Sequence, residues 1–127
     1  MNVTVVDASA IAAVLFQEPE GEPILASVSG RLLASSLLPY ELASVCATKL
    51  ARRPAEANLT LSRYRLFADL DMTLRDPDWS SLPWLANQWA LSSYDAAYLQ
   101  LALASDSPLV TLDARLAAAY DRVVAQR

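Results

Sequence analysis

The chain has 127 residues, 54% of them hydrophobic, and its 10 cationic and 14 acidic side chains give a net charge of −4. That is enough chain for one core, and the acidic balance argues against a protein that grips nucleic acid through a broad basic face. Histidine is absent and Cys46 is the only cysteine, which excludes histidine-dependent triads, histidine-ligated zinc, thiolate clusters and a disulfide framework.

Taken in order, Asn2–Val6 is a β-branched run with the pattern of a buried strand. Asp7-Ala8-Ser9 follows, and a helix is expected from about Ser9 to Phe16. Glu18-Pro19-Glu20-Gly21 breaks it, and Glu22–Val28 reads as a second short helix. Arg31–Ser35 is the second strand. Ser36-Leu37-Leu38-Pro39 then leads into a helix whose first turn accommodates Pro39. Leu38, Leu42, Val45, Cys46 and Leu50 lie along one side of that helix, so this face is expected in the core, with Cys46 acting as a small hydrophobe.

Arg52-Arg53-Pro54 marks a turn, and Ala55–Leu70 reads as one longer helix. Arg52, Arg53, Arg63 and Arg65 are the only cation-rich segment, a solvated helix face in the plain reading and a phosphate-contacting rim in the alternative. Met72–Leu74 is a third strand, and Ser81–Leu91 a helix carrying Trp84 and Trp89. With Trp79, these tryptophans read as core or subunit-contact residues. A helix from Tyr94 to Ala104, opened at Ser92-Ser93, is apolar nearly all round and should be central. A turn at Ser105–Pro108 leads to a buried strand, Leu109–Leu112, then a helix from Ala114 to Tyr120, with Val123-Val124 as a last short strand.

The N-terminus has neither the basic segment nor the cleavage site of a signal peptide, and no apolar run approaches the ~18 residues of a membrane span. The expectation is a cytoplasmic protein with no membrane association. Strands alternating with helices, without repeat or linker, imply one α/β domain over residues 1–127, a central parallel sheet flanked by helices on both faces. In such folds ligands bind beyond the carboxyl ends of the strands, where helices begin.

Four acids fall at those joints. Asp7 is the first residue past strand one, Glu41 lies in the first turn of the helix after strand two, Asp95 opens the central helix, and Asp113 follows the last full strand. Any one of them has an ordinary explanation as a helix-start acid, which gains ~0.3–1 kcal/mol from the dipole. Four at one edge do not, because carboxylates ~5 Å apart repel by roughly 3 kcal/mol at an effective dielectric near 20. A divalent cation is the simplest remedy, and all-oxygen donors select Mg²⁺ or Mn²⁺. Without histidine, water activated by such an ion becomes the candidate nucleophile, and phosphodiester hydrolysis the candidate reaction.

Val5-Val6-Asp7-Ala8-Ser9-Ala10, Leu38-Pro39-Tyr40-Glu41-Leu42, Ser93-Tyr94-Asp95-Ala96-Ala97-Tyr98-Leu99 and Leu109-Val110-Thr111-Leu112-Asp113 resemble, in order, the successive motifs of PIN domains. The chain length and the Ser-x-Tyr-Asp-Ala-x-Tyr-Leu form are most similar to VapC-type toxins of bacterial toxin–antitoxin pairs. The resemblance covers the whole chain. It implies a central parallel sheet flanked by helices and a Mg²⁺- or Mn²⁺-dependent endoribonuclease. It makes Asp7, Glu41, Asp95 and Asp113 the catalytic and metal-binding quartet, with the hydroxyls of Ser9 and Thr111 in support. For those two, a helix-start cap and an ordinary strand residue are the structural alternatives. It further implies an RNA substrate, a homodimer, and inhibition by a cognate antitoxin protein. Arg52, Arg53 or Arg115 are candidates for positioning the phosphate backbone.

Two other classes compete. A receiver-like Mg²⁺-binding regulatory domain needs a late lysine, and the only lysine is Lys49, inside a helix. A non-catalytic PIN-like protein-binding module typically loses site acids, and this chain keeps all four. A phosphatase of the D-x-D type fails because Ser9 stands where its second aspartate belongs.

Overall fold

Val5 and Val6 have no solvent exposure, because their strand lies in the middle of the molecule. In the computed structural model, which describes residues 2–127, this strand, β1 (Val3–Val6), is covered on both edges. On one side it pairs with β2 (Arg31–Ser35), Val5 opposite Leu33, and β2 pairs in turn with β3 (Met72–Arg75). On the other side it pairs with β4 (Leu109–Val110), Val5 opposite Leu109. All pairings are parallel, in the order β3-β2-β1-β4. The chain therefore lays β2 and β3 to one side of β1 and returns to place β4 on the other. The crevice above the carboxyl ends of β1 and β4 is the switch point at which open α/β sheets bind ligands.

Among the described residues, seven helices flank the sheet: α1 (Ala8–Leu15), α2 (Gly21–Ser27), α3 (Leu38–Arg52), α4 (Ala57–Arg65), α5 (Leu82–Trp89), α6 (Ser93–Ala104) and α7 (Ala114–Ala125). Helix α6 packs against β1 and β2. Its sequence is apolar over most of its circumference, and Ala96, Ala97, Tyr98, Leu99, Leu101 and Ala102 are all buried. Helix α3 buries Leu38, Leu42 and Cys46, with Val45 and Leu50 packed beside them, as its spacing predicts. The turn into β2 depends on Gly30, whose φ of +71° leaves no room for a side chain: a Cβ there would stand 2.2 Å from the Asn2 carbonyl. That same carbonyl accepts the Arg31 N–H at 2.9 Å, which sets β2 alongside β1.

Several boundaries differ from the sequence reading, for local reasons. The expected helix Ala55–Leu70 is divided into a 3₁₀ turn (Pro54–Glu56), α4, and a second 3₁₀ turn (Leu66–Asp69). No residue of that stretch is fully buried, so little packing enforces a continuous α-helix. The strand expected over Leu109–Leu112 ends at Val110 and is half-buried. Beyond Val110 the chain leaves the ladder, and the N–H groups of Leu112 and Asp113 are taken by hydroxyl groups described below. Val123-Val124 is no strand but the last turn of α7, which runs on past Tyr120 with Leu116 and Ala119 buried at i, i+3. Trp89 packs against the core, whereas Trp79 and Trp84 are 79% and 70% exposed and are not core residues. No helix among the described residues is long and apolar enough to cross a membrane.

Candidate metal-binding site

The backbone turns straight from β1 into α1 at Asp7, which is 3% exposed and caps the new helix, its Oδ1 accepting the Ala10 N–H at 3.0 Å. Such a carboxylate needs further donors, and hydroxyls supply them. Ser9 Oγ donates to Asp7 Oδ1 at 2.7 Å, and Thr111 Oγ1 donates to Asp7 Oδ2 at 2.6 Å. The two hydroxyls lie 3.3 Å apart. Each also holds the segment after β4: Ser9 Oγ accepts the Leu112 N–H at 3.0 Å and Thr111 Oγ1 accepts the Asp113 N–H at 3.0 Å. This is why β4 is only two residues long. Ser9 is thus inside α1 and not its cap, and Thr111 is a bridge between two strand ends.

Asp113 begins α7 as Asp7 begins α1, its Oδ1 accepting the Leu116 N–H at 2.9 Å. Glu41 and Asp95 come from the first turns of α3 and α6. Ser92 caps α6 by accepting the Asp95 N–H at 3.1 Å. Glu41 is oriented from across the core, where the hydroxyl of fully buried Tyr98 donates to its Oε1 at 2.8 Å. Tyr98 is the site residue the sequence reading passed over. The signal was present, since Tyr98 stands three residues after Asp95 and so shares its face of α6.

Electrostatics ties the four acids together. Burial raises the Asp7 carboxyl above its ordinary value, and the charge of Asp113 adds to this, against the lowering effect of hydrogen bonds from Thr111, Ser9 and Ala10. Burial likewise raises Glu41, the Tyr98 hydrogen bond opposing it while Asp7 and Asp95 push it further up. Asp95 is raised by burial and then by Asp113 and Asp7. Among the described residues, the charges that shift these three groups are those of other carboxylates. Burial first, and then Glu41, drive the Tyr98 phenol far above its ordinary range, so it stays a hydrogen-bond donor. Among the described residues, no three acidic or cysteine side chains stand close enough together to clasp one ion as they are placed. The donors are nonetheless all oxygen, the chemistry of a hard divalent cation.

Two of the candidate arginines lie away from the acids. Arg52 and Arg53 stand at the far end of α3, about 16 Å along the axis from Glu41. They line a 460 Å³ groove with Lys49 and Arg63, most of whose cations are spoken for within the chain. Lys49 pairs with Glu18 at 3.0 Å, Arg53 with Glu56 at 3.6 Å, and Arg63 donates to the Phe16 carbonyl at 3.2 Å. Arg115 is exposed in the first turn of α7, beside Asp113.

A model of the PIN domain matches residues 4–122. Among solved structures, the crystal structure of PAE2754 from Pyrobaculum aerophilum is similar in fold, with a TM-score of 0.74 over 98% of this chain and 96% of that one, at 20% sequence identity. No match is found among the curated proteins. The matched span begins in the central strand and ends in the last helix, taking in Asp7, Glu41, Asp95 and Asp113, and on this the chain belongs to the PIN domain family.

Proposed function

We propose that this protein is a metal-dependent endoribonuclease that hydrolyses RNA phosphodiester bonds. PIN domains are in general nucleases and usually bind Mg²⁺ or Mn²⁺. The observation that carries the reading for this chain is the set of four carboxylates at one edge of the sheet, where the charges of Asp7, Asp95 and Asp113 act on neighbouring acids. Asp7, Glu41, Asp95 and Asp113 would hold a hard divalent cation, which supplies Lewis acidity at the phosphate and stabilises developing negative charge.

The remaining work falls to side chains whose contacts are known. Ser9 and Thr111 fix both oxygens of Asp7, so the carboxylate at the switch point cannot rotate away from the crevice. Tyr98 holds one oxygen of Glu41 and leaves the other free to orient the attacking water.

The toxin reading is supported by the Ser-Tyr-Asp-Ala-Ala-Tyr-Leu sequence at the start of α6. On that reading the chain is one domain over residues 1–127, acts in the cytoplasm where its RNA substrate is, and is silenced by a cognate antitoxin protein. The exposed rings of Trp79 and Trp84 offer apolar surface for a homodimer. The test is cleavage of a mixed RNA pool by purified protein with Mn²⁺, with EDTA, and by the Asp7→Asn variant. Discrete fragments that require both metal and Asp7 are expected. Equal behaviour of wild type and variant across several RNA pools would remove the nuclease reading and leave a PIN-like binding module.

A further inference from the structure

Helices α3 and α6 begin alike, with a tyrosine directly before the first-turn acid: Tyr40-Glu41 and Tyr94-Asp95. Successive residues of a helix point about 100° apart, so an acid turned toward the strand ends leaves its tyrosine turned aside. Both rings stand in solvent, Tyr40 73% and Tyr94 56% exposed. They are not scattered surface aromatics, because both line a single groove of 520 Å³ whose wall also contains Glu41 and Asp95. Leu37 and Val45 supply aliphatic wall. The volume lies within the ~300–1,000 Å³ typical of small-molecule sites.

The groove's chemistry selects its occupant. It contains two carboxylates and no cation, so it does not attract a phosphate. Aromatic faces and aliphatic walls instead take a flat, uncharged ring. The groove is continuous with the acids, so the group that reaches it is one attached to whatever those acids act upon. A nucleotide has this composition, with a charged phosphate and a neutral aromatic base.

We infer that Tyr40 and Tyr94 form a base-binding groove beside the acids, which receives an unstacked nucleobase of single-stranded RNA. The inference rests on the nuclease reading and specifies its substrate as single-stranded, since a base paired in a duplex is not free to enter. Recognition by stacking tolerates different bases, because every base has a π-face.

The test is binding of a fluorescent oligouridine, followed by anisotropy with Mn²⁺ present, to Asp7→Asn protein that carries Tyr40→Ala, Tyr94→Ala or the corresponding Phe substitutions. An abasic ribose-phosphate chain of equal length serves as the control ligand. Each Ala substitution is expected to weaken oligouridine binding about tenfold or more. Phe retains binding, and the abasic chain binds weakly and equally to all variants. Thermal melting of each variant checks that the exposed ring was removed from a folded chain. Ala variants that bind oligouridine as tightly as their parent overturn the groove, and if the wild type still cleaves RNA the nuclease reading stands without it. Tyrosine-dependent binding in a protein that cleaves nothing with any metal leaves the groove standing and removes the nuclease. Failure of the wild type to bind or cleave overturns both. Ala variants that change the oligomeric state and leave RNA affinity untouched also overturn the groove and make this face a contact between copies.

Discussion

Asp113 combines two roles that substitution separates. Its Oδ1 caps α7, and its charge raises Asp7 and Asp95. Asparagine caps a helix about as well as aspartate, whereas alanine in that position costs ~0.5–2 kcal/mol. Asp113→Asn is therefore expected to be at least as stable as wild type, because the cap survives and a repelling charge is gone. Asp113→Ala loses about 1 kcal/mol, read from urea midpoints at unchanged m-value. Both should lose metal-dependent cleavage if the proposed function holds. At this scale the sequence was informative about acids and poor about their partners. An acid at a strand–helix joint is visible in one dimension. The hydrogen bond from Thr111 to Asp7 spans 104 positions and that from Tyr98 to Glu41 spans 57; helical spacing puts Tyr98 on the face of Asp95, but nothing local in the sequence names the distant carboxylate that either hydroxyl meets.

Elements with a buried apolar face were legible, as were the more exposed β3 and α5, whereas the interruptions between α3 and β3 were not. The β1 run and the α3 and α6 faces follow from apolar spacing, because packing on the core enforces the period. The segment from Pro54 to Asp69 lacks any fully buried residue, so its breaks into 3₁₀ turns have no signature in hydrophobic pattern. Val123-Val124 has strand propensity, but a continuing amphipathic helix overrides it. The end of α5 carries a local cost that is easy to test. Its cap, Ala90, adopts φ +54° and ψ +44°, the left-handed conformation in which a Cβ costs ~1–2 kcal/mol. Glycine removes that strain while giving back part of the gain as unfolded-state entropy. Ala90→Gly is expected to stabilise the chain by about 0.5–1 kcal/mol, measured by chemical denaturation.

For the molecule as a whole, the acidic crevice makes stability depend on pH and on divalent ions. Asp7, Glu41 and Asp95 are all raised in the folded chain above ordinary values of 3.8 for the aspartates and 4.5 for the glutamate. A folded state that holds protons more tightly than the unfolded one is favoured by them. Their stabilising contribution is therefore complete below the ordinary values and is lost as pH rises through the raised ones. Metal-free protein is expected to melt at a higher temperature near pH ~5 than near pH ~7.5. Added Mn²⁺ should narrow that difference by raising the melting temperature at the higher pH, and Asp113→Asn should narrow it without metal. Calorimetric scans at the two pH values, with and without Mn²⁺, check both. The order β3-β2-β1-β4 has a further consequence, for the time at which the molecule becomes competent. A growing chain supplies β1 and Asp7 long before the strand that completes the other edge of β1, which begins at Leu109. Until it arrives, β1 has one open edge, and Asp7 has neither the Thr111 hydroxyl nor the Asp113 carboxylate beside it. Long-range closure of this kind is slow to form and forms late. The nascent polypeptide carries Asp7, Glu41 and Asp95 as separate side chains and has no assembled centre until the segment from Leu109 to Asp113 has been added.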